Sequence, residues 1–224
     1  MKMMKSSVRI AHHFRKSLLL ILMMAVGGLG FAQSGGEKTE DNAHAKLGQK
    51  ALMDGDFKDA VSHLEKALPS DPNNETILYA LGYSQYHSSA YQGAIESFSK
   101  VLELQPENVS AFYYRGKARH TLALTADLSD VARAKMLRAS VGDYDQAVAL
   151  DKEDTKLYQN RALVYRDLGI LLGTSSSKNF DAAEAKAAYD HCIEDLNVVL
   201  AKFPGREDMT QELKKVSVYR NNIE

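Results

Sequence analysis

The chain has 224 residues, of which 45% are hydrophobic and 25% are charged, values that are ordinary for a globular protein. Its 28 basic and 29 acidic residues almost cancel, so it lacks the strong positive charge expected of a nucleic-acid-binding protein. A single cysteine, Cys192, excludes an internal disulfide framework. Composition leaves the fold open, and the order of the residues must decide it.

The N-terminus has the three parts of a secretory signal. Five basic and no acidic side chains come first, the apolar run Leu18–Val26 follows, and small residues stand at Gly30 and Ala32. We therefore predict a signal peptide over residues 1–32, cleaved before Gln33, and a periplasmic location in a bacterium. The alternative is an uncleaved N-terminus that anchors the protein in the inner membrane, but the uninterrupted apolar stretch is shorter than the roughly 18 to 20 residues that span a bilayer.

Loss of the predicted signal changes the charge of the chain. It leaves 23 basic and 29 acidic residues, a net charge of about −6. A mildly acidic protein gives no reason to expect a nucleic-acid partner, and contact with a membrane is expected only through an uncleaved signal. The polar residues 33–40 predict a flexible leader.

A repeat follows the leader. Gly48, Gly82 and Gly116 are spaced 34 residues apart, and Pro72 and Pro106 keep the same interval. Apolar residues between them recur at steps of three and four, which indicates helices rather than strands. A small residue at a fixed place lets two helices approach closely, and each helix pair buries its remaining apolar face by stacking on the next pair. The pattern predicts a solenoid.

The repeat resembles the tetratricopeptide repeat (TPR) family, whose 34-residue units place Leu-Gly, Tyr, Ala, Phe and Pro at fixed offsets. The second unit matches best, and departs from the pattern only at Gln85, where Tyr is usual. Its matching residues are Leu78, Leu81, Gly82, Tyr91, Ala94, Phe98, Val101 and Pro106. The resemblance implies an all-α helical-hairpin solenoid of about four units, closed by a C-terminal capping helix. We place the units at 41–74, 75–108, 109–154 and 155–206, and the capping helix at 207–224.

The last two units are longer than the repeat, with 12 and 18 extra residues between their helices. We expect extended helices, one of them over Asp130–Leu150, and two hairpins that protrude side by side. The alternative is a pair of loops, because Gly169, Gly173 and the run Thr174–Ser177 allow disorder at the second tip. The apolar residues expected to form a satellite core between the hairpins are Leu122, Leu124, Leu128, Leu168, Ile170, Leu171 and Leu172.

The sequence contains few patterns that indicate catalysis or metal binding. Its seven histidines form no zinc-binding helix motif, the serines lie in no nucleophile elbow, and Cys192 occupies a small packing position. We predict no catalytic residue, no metal and no cofactor, and therefore no enzyme.

The remaining candidate site is a groove. The resemblance implies that the first helix of each unit lines the concave side of the stack, and tyrosine is frequent where proteins bind partners. The alternative is that Tyr79 and Tyr86 pack inside the solenoid. The predicted peptide-groove residues are Tyr79, Tyr83, Tyr86, His87, Tyr113, Lys117, His120 and Arg166. Some TPR proteins hold a chaperone's C-terminal carboxylate with Lys, Asn and Arg, but the corresponding residues here lack that chemistry: Ala45, Gln49, Ala80, Ser110 and Tyr114.

The sequence therefore predicts an exported, non-enzymatic scaffold or adaptor of the bacterial cell envelope that binds a protein or peptide. One alternative keeps the fold but makes the chain a structural subunit of an envelope membrane machine, in which the convex face and the edge matter more than the groove. A second alternative is an enzyme with an unrecognised site. The partner and the oligomeric state stay open, because this fold hosts many unrelated interactions.

Overall fold

The computed structural model describes residues 39–174 and 180–223, and these ranges are helical throughout apart from short connections. The first two helix pairs are α1 (Thr39–Asp54) with α2 (Phe57–Ala67), and α3 (Glu75–His87) with α4 (Tyr91–Leu104). The next two are α5 (Val109–Thr125) with α6 (Asp130–Leu150), and α7 (Thr155–Gly173) with α8 (Ala182–Lys202). Helix α9 (Glu207–Asn221) follows and packs on α8.

Three first helices begin at an equivalent capping residue. Asn74, Asn108 and Asp154 each accept a backbone N–H of the first helical turn, at 3.0, 2.9 and 2.9 Å. Such a side chain satisfies a donor that would otherwise have no partner in the helix. Asn74 and Asn108 are one 34-residue repeat apart, so the repeat fixes helix starts as well as packing positions.

The repeated glycines lie where the two helices of a pair touch. A methyl group at Gly48 would come within 2.7 Å of Leu64, and one at Gly82 or Gly116 would come within 3.1 Å of Phe98 or Tyr144. These distances are shorter than ordinary carbon contacts, so a larger residue at these positions would require the facing side chain or helix to move. The packing role predicted for the repeated small residue is confirmed at these positions.

Gln85 is buried beside the turn of the second unit, at 8% exposure. Its side-chain oxygen accepts a hydrogen bond of 2.7 Å from the Ser97 hydroxyl, and its amide end lies where a side chain on Gly93 would be. The shorter, polar residue therefore replaces the usual Tyr because Gly93 and Ser97 provide its space and its partner.

Two arginines tie the later units together through buried carboxylates. Arg115 on α5 donates to Asp143 on α6 and to the Ser99 hydroxyl on α4. Arg161 on α7 repeats this arrangement with Asp195 on α8 and Asp145 on α6. Asp143 and Asp195 are only 2% and 3% exposed, and a buried carboxylate must be paired. In the first two units the same position holds Leu47 and Leu81.

The helices of the third and fourth units are extended, as predicted. Helices α5 to α8 have 17, 21, 19 and 21 residues, against 13 and 14 for α3 and α4. Helix α6 spans the predicted Asp130–Leu150. The extended parts share one apolar core that includes Ala123, Leu137, Leu168, Leu172 and Ala188, with Leu171 partly buried against it. The packed arrangement of the hairpins is therefore confirmed.

Four of the seven residues expected in the satellite core lie outside it. Leu124 and Ile170 are 49% and 41% exposed, while Leu122 and Leu128 are partly buried and lie outside the core cluster. Helix α5 instead turns Ala123 inward. Ala123 lies three helical turns beyond Phe112, on the same face, whereas Leu124 is rotated about 100° from that face.

The glycines at the second tip are sites of close packing. A methyl group at Gly169 would come within 2.6 Å of the Tyr189 ring, and one at Gly173 within 2.4 Å of Ile223. Both glycines belong to α7, so the disorder considered for them does not occur there. Residues 175–177 of the polar run lie outside the described residues.

The predicted signal peptide, residues 1–32, also lies outside the described residues, as do residues 33–38 of the predicted leader. Helix α1 begins at Thr39, so the last two residues predicted as leader are helical. His44 on α1 and His63 on α2 join the first pair through a contact of 3.0 Å between their Nδ1 atoms.

Candidate functional site

The first helices of neighbouring units adjoin one another: α3 contacts α5, and α5 contacts α7. We call the surface that they share the first-helix face. All eight predicted groove residues lie on these three helices. The structure divides them into an aromatic group on α3 and α5 and an ionic group that extends to α7.

The aromatic group is a connected cluster. Tyr83 contacts His87 at 4.3 Å between ring centroids, and Tyr86 contacts His87 at 5.2 Å. Tyr113 adjoins the cluster from α5 through Tyr114, at 5.1 Å. Edge and offset contacts at such distances are those that aromatic rings prefer. We define the aromatic cluster as Tyr79, Tyr83, Tyr86, His87, Tyr113 and Tyr114.

Tyr114, which was not among the predicted groove residues, lies at the centre of this cluster. Its ring lies 5.1 Å from Tyr83, 5.8 Å from Tyr86 and 5.7 Å from the buried Phe98. The equivalent position of the second unit holds Ala80, whose small side chain gives no comparable contact. The only sequence signal was an aromatic residue at a position that is small one repeat earlier.

The inner part of the cluster is solenoid packing. Tyr83 is only 6% exposed, and Tyr79 packs edge-on against Phe98 at 5.5 Å. Burial raises the pKa of Tyr79, Tyr83 and Tyr114 above the ordinary value because the charged phenolate is poorly solvated there. These rings are neutral and hold α3 against α5.

The outer part of the cluster is accessible. His87 is exposed, and Tyr86, Tyr113 and Lys117 are partly exposed. The Lys117 ammonium lies over the Tyr86 ring at 5.1 Å and over the Tyr113 ring at 5.4 Å, within the range of a cation–π interaction. We call Tyr86, His87, Tyr113 and Lys117 the aromatic rim.

The imidazole of His87 is held in place by two rings of the protein, those of Phe57 and Tyr83. Its ring stacks on Phe57 at 4.8 Å and contacts Tyr83. Although one side of His87 is exposed, packing against these rings removes water from the rest of the imidazole; this desolvation and, secondarily, the positive charge of Lys117 lower the pKa of His87. The rim therefore carries a neutral imidazole and one positive charge at neutral pH.

His120 and Arg166 belong to the ionic group rather than to the rim. His120 contacts Asp167 at 2.7 Å, and Arg166 pairs with both Asp167 and Glu212 at 2.8 and 2.9 Å. Burial opposes ionisation of Asp167, but the hydrogen bond of His120 and the charge of Arg166 outweigh it and hold its pKa below the usual range. This group links α5, α7 and α9 along the first-helix face.

Other chemistry is sparse in the described ranges. They contain no grouping of three or more His, Cys, Asp or Glu side chains that could bind a metal ion. Cys192 is buried, as its packing position predicts, and burial raises the pKa of its thiol to about 12, so it is unreactive at neutral pH. Within residues 39–174 and 180–223, no helix has both the length and the apolar character to cross a bilayer.

Stacked antiparallel helix pairs with a shared first-helix face define the class of helical-repeat solenoids. Within that class, residues 45–109 match the tetratricopeptide repeat family model. The matched part of the chain covers most of the first two units.

Solved structures show the same fold over most of the chain. The MamA RS-1 ArsTM double mutant superposes with a TM-score of 0.62 at 18% identity, covering 84% of this chain and 88% of that one. Another crystal structure of MamA gives a TM-score of 0.52 at 21% identity, covering 81% of this chain and 92% of that one. The predicted all-α helical-hairpin solenoid is confirmed.

Two curated relatives are longer proteins. The TPR repeat-containing protein YpiA of Bacillus subtilis is 23% identical over 183 residues, which are 80% of this chain and 38% of the relative. The DnaJ protein P58IPK homolog of Arabidopsis thaliana is 29% identical over 104 residues, 46% of this chain and 22% of the relative. The chain spans less than two fifths of the length of either.

Proposed function

We propose that this protein is a non-enzymatic scaffold or adaptor that binds a protein or peptide partner on its first-helix face. The observation that carries the proposal is the aromatic rim, where Tyr86, His87 and Tyr113 stay accessible to solvent beside the buried Tyr83 of the same cluster. Amphipathic rings that are held rigidly and left accessible are typical of binding hot spots.

The aromatic cluster has inner rings that join the helices and outer residues that stay accessible. This division supports a binding role, rather than a packing role, for the outer residues. Tyr79, Tyr83 and Tyr114 already join α3 to α5 and contact Phe98. The rim residues keep part of their surfaces exposed to solvent, although Tyr113 also packs against the core of the extended hairpins through Tyr144. A rim fixed in this way loses little side-chain freedom when a partner binds.

A co-purification experiment tests the proposal. The full chain and a Tyr86→Ser/Tyr113→Ser variant would be used as bait in a cell-envelope extract, with quantitative mass spectrometry of what they retain. We expect specific partners of the wild type to be lost from the variant while its helicity, measured by circular dichroism, stays unchanged.

The matched control replaces exposed apolar side chains elsewhere. Val198 and Phe203 are 40% and 47% exposed, on and just after α8, and their change to Ser should leave the retained partners unaltered. Retention of the same partners by the Tyr86→Ser/Tyr113→Ser variant would contradict binding at the rim.

The location proposed for this function is the bacterial periplasm. It is supported by the basic, apolar and small-residue segments of the N-terminus. N-terminal sequencing of the protein isolated from its cell should find Gln33 first. Met1 in a membrane fraction would instead favour an anchored protein, and recovery from the cytoplasm would contradict export.

A second candidate is a structural subunit of an envelope membrane machine. It is favoured by four apolar side chains around the tips of the extended hairpins: Leu124, Val131, Ile170 and Phe180, at 49%, 61%, 41% and 47% exposure. A Val131→Glu/Ile170→Glu variant separates this candidate from the first. Loss of a large complex on native gels, with the partners of the rim retained, would favour the subunit.

A further inference from the structure

Lys117 differs from Arg166 and His120, the two basic residues of the ionic group, in the groups that its side chain contacts. Arg166 and His120 are both engaged by carboxylates of the ionic group. The Lys117 ammonium contacts the faces of the Tyr86 and Tyr113 rings, and within the described residues no carboxylate pairs with it.

The residues around Lys117 position its charge on the aromatic rim without neutralising it. Each tyrosine ring holds the ammonium by its face, which fixes the position of the charge without neutralising it. The neighbouring His87 is uncharged at neutral pH. Asp167, an acidic residue of this face, already pairs with His120 and Arg166.

We propose that the partner of the aromatic rim is a peptide segment that places a carboxylate side chain against Lys117 and an aromatic or aliphatic side chain against Tyr86, His87 and Tyr113. The proposal rests on the proposed function and names the chemistry of its ligand. Charge complementarity carries it: a positive charge that no carboxylate of the described residues pairs with, on a partly apolar surface, favours a segment in which an acid adjoins an apolar residue.

The experiment selects ligands without presuming a partner. A random-peptide phage library would be selected on the full chain, on Lys117→Gln and on Lys100→Gln, and the enriched sequences compared. Lys100 is the matched control because it is exposed on α4, away from the first-helix face. Selected peptides would then be synthesised and titrated against each variant and against Tyr86→Ser/Tyr113→Ser.

We expect the wild type and Lys100→Gln to enrich peptides that pair Asp or Glu with an aromatic or aliphatic residue. The affinity of those peptides should fall about tenfold in Lys117→Gln, the size of a charge-assisted hydrogen bond, and recover in Lys117→Arg. Added salt should weaken binding to the wild type more than to Lys117→Gln.

Two results would overturn the inference in different ways. Peptides that require Tyr86 and Tyr113 but show no acidic preference, or that bind Lys117→Gln as well as wild type, would refute the acidic ligand and leave the rim as a binding site. Selected peptides that bind equally well after Tyr86→Ser/Tyr113→Ser would refute the rim, and the inference would fall with it.

Discussion

Replacement of Gly82 by leucine tests whether the repeat register is right. A methyl group at this position would lie 3.1 to 3.2 Å from three carbon atoms of the Phe98 ring, and Phe98 is fully buried. Leucine adds three further carbons beyond that methyl group, so Phe98 or the whole of α4 must move. Overpacking of this kind typically costs about 1 to 3 kcal/mol.

The chain contains its own control for helix propensity. Gly142 is an exposed glycine inside α6, and a methyl group there would meet no other atom within 4 Å. Leucine is favoured over glycine in a helix by about 0.8 kcal/mol at either site. The difference between Gly82→Leu and Gly142→Leu therefore isolates the packing cost, about 1 to 3 kcal/mol.

Thermal unfolding followed by circular dichroism gives the measurement. For a chain of this size about 1 kcal/mol corresponds to roughly 2 to 4 °C, so Gly82→Leu should melt roughly 2 to 12 °C below Gly142→Leu. Equal melting temperatures for the two variants would show that Gly82 does not lie at a helix contact, and the register of the units would be wrong.

Three further results are expected. The folded state holds the pKa of Asp167 below its usual value, so ionised Asp167 stabilises the fold above the unfolded pKa of about 4, and this stabilisation is lost as the pH falls through the folded pKa. The difference in the free energy of unfolding between wild type and Asp167→Asn, measured with urea, should therefore narrow on acidification. A constant difference would argue against the ion pairs. Burial raises the pKa of Tyr165 and Tyr189 to about 12, so their neutral rings stabilise the fold fully below the unfolded pKa of about 10, and this stabilisation is lost as the pH rises through 12. In a pH titration, tyrosinate absorbance of the folded chain should rise at higher pH than that of the urea-unfolded chain. Coincident titration curves would refute the burial. Gly55 has a φ of +82° with open space around it, so Gly55→Ala should lower the free energy of unfolding by about 1 to 2 kcal/mol through backbone conformation alone. The control is Ser89→Gly at the equivalent position of the next unit, where φ is +66°. This variant should not lower the free energy of unfolding by that amount.

The sequence predicts the helices and their pairing because both depend on local, repeated residues. Gly48, Gly82 and Gly116 mark the helix contacts, and the bounds of α6 agree with the prediction. Such features need only the identity of a residue and its place in the repeat. The inserted segments carry no repeat to align, and the satellite core had to be assigned by composition, which selected Leu124 in place of Ala123.

The candidate site is less predictable because it depends on contacts between units. The rim residues follow from their positions on the first helices, but Tyr114 was missed because its role depends on Tyr79, Tyr83 and Phe98, which come from the preceding unit. The pairs of Arg115 with Asp143 and of Arg161 with Asp195 were also missed, and each of them joins the two helices of one of the longer units, where the inserted residues change the repeat spacing. Periodicity identifies which face a residue occupies, and only the stacked structure shows which charge or ring it meets.

The first helices are held together by aromatic contacts at one junction, between α3 and α5, and by ion pairs at the other, between α5, α7 and α9. This difference affects where on the first-helix face a partner could bind. Between α3 and α5 the face is held by aromatic rings, whose contacts are short-ranged and insensitive to salt. Between α5, α7 and α9 it is held by His120, Asp167, Arg166 and Glu212, whose polar groups are already paired with one another. A ligand at the ionic junction would have to break existing pairs, whereas a ligand at the aromatic junction would meet rings and an ammonium group that no carboxylate of the described residues engages. The proposed binding at the rim would therefore add contacts to the face without removing the ion pairs that hold it together.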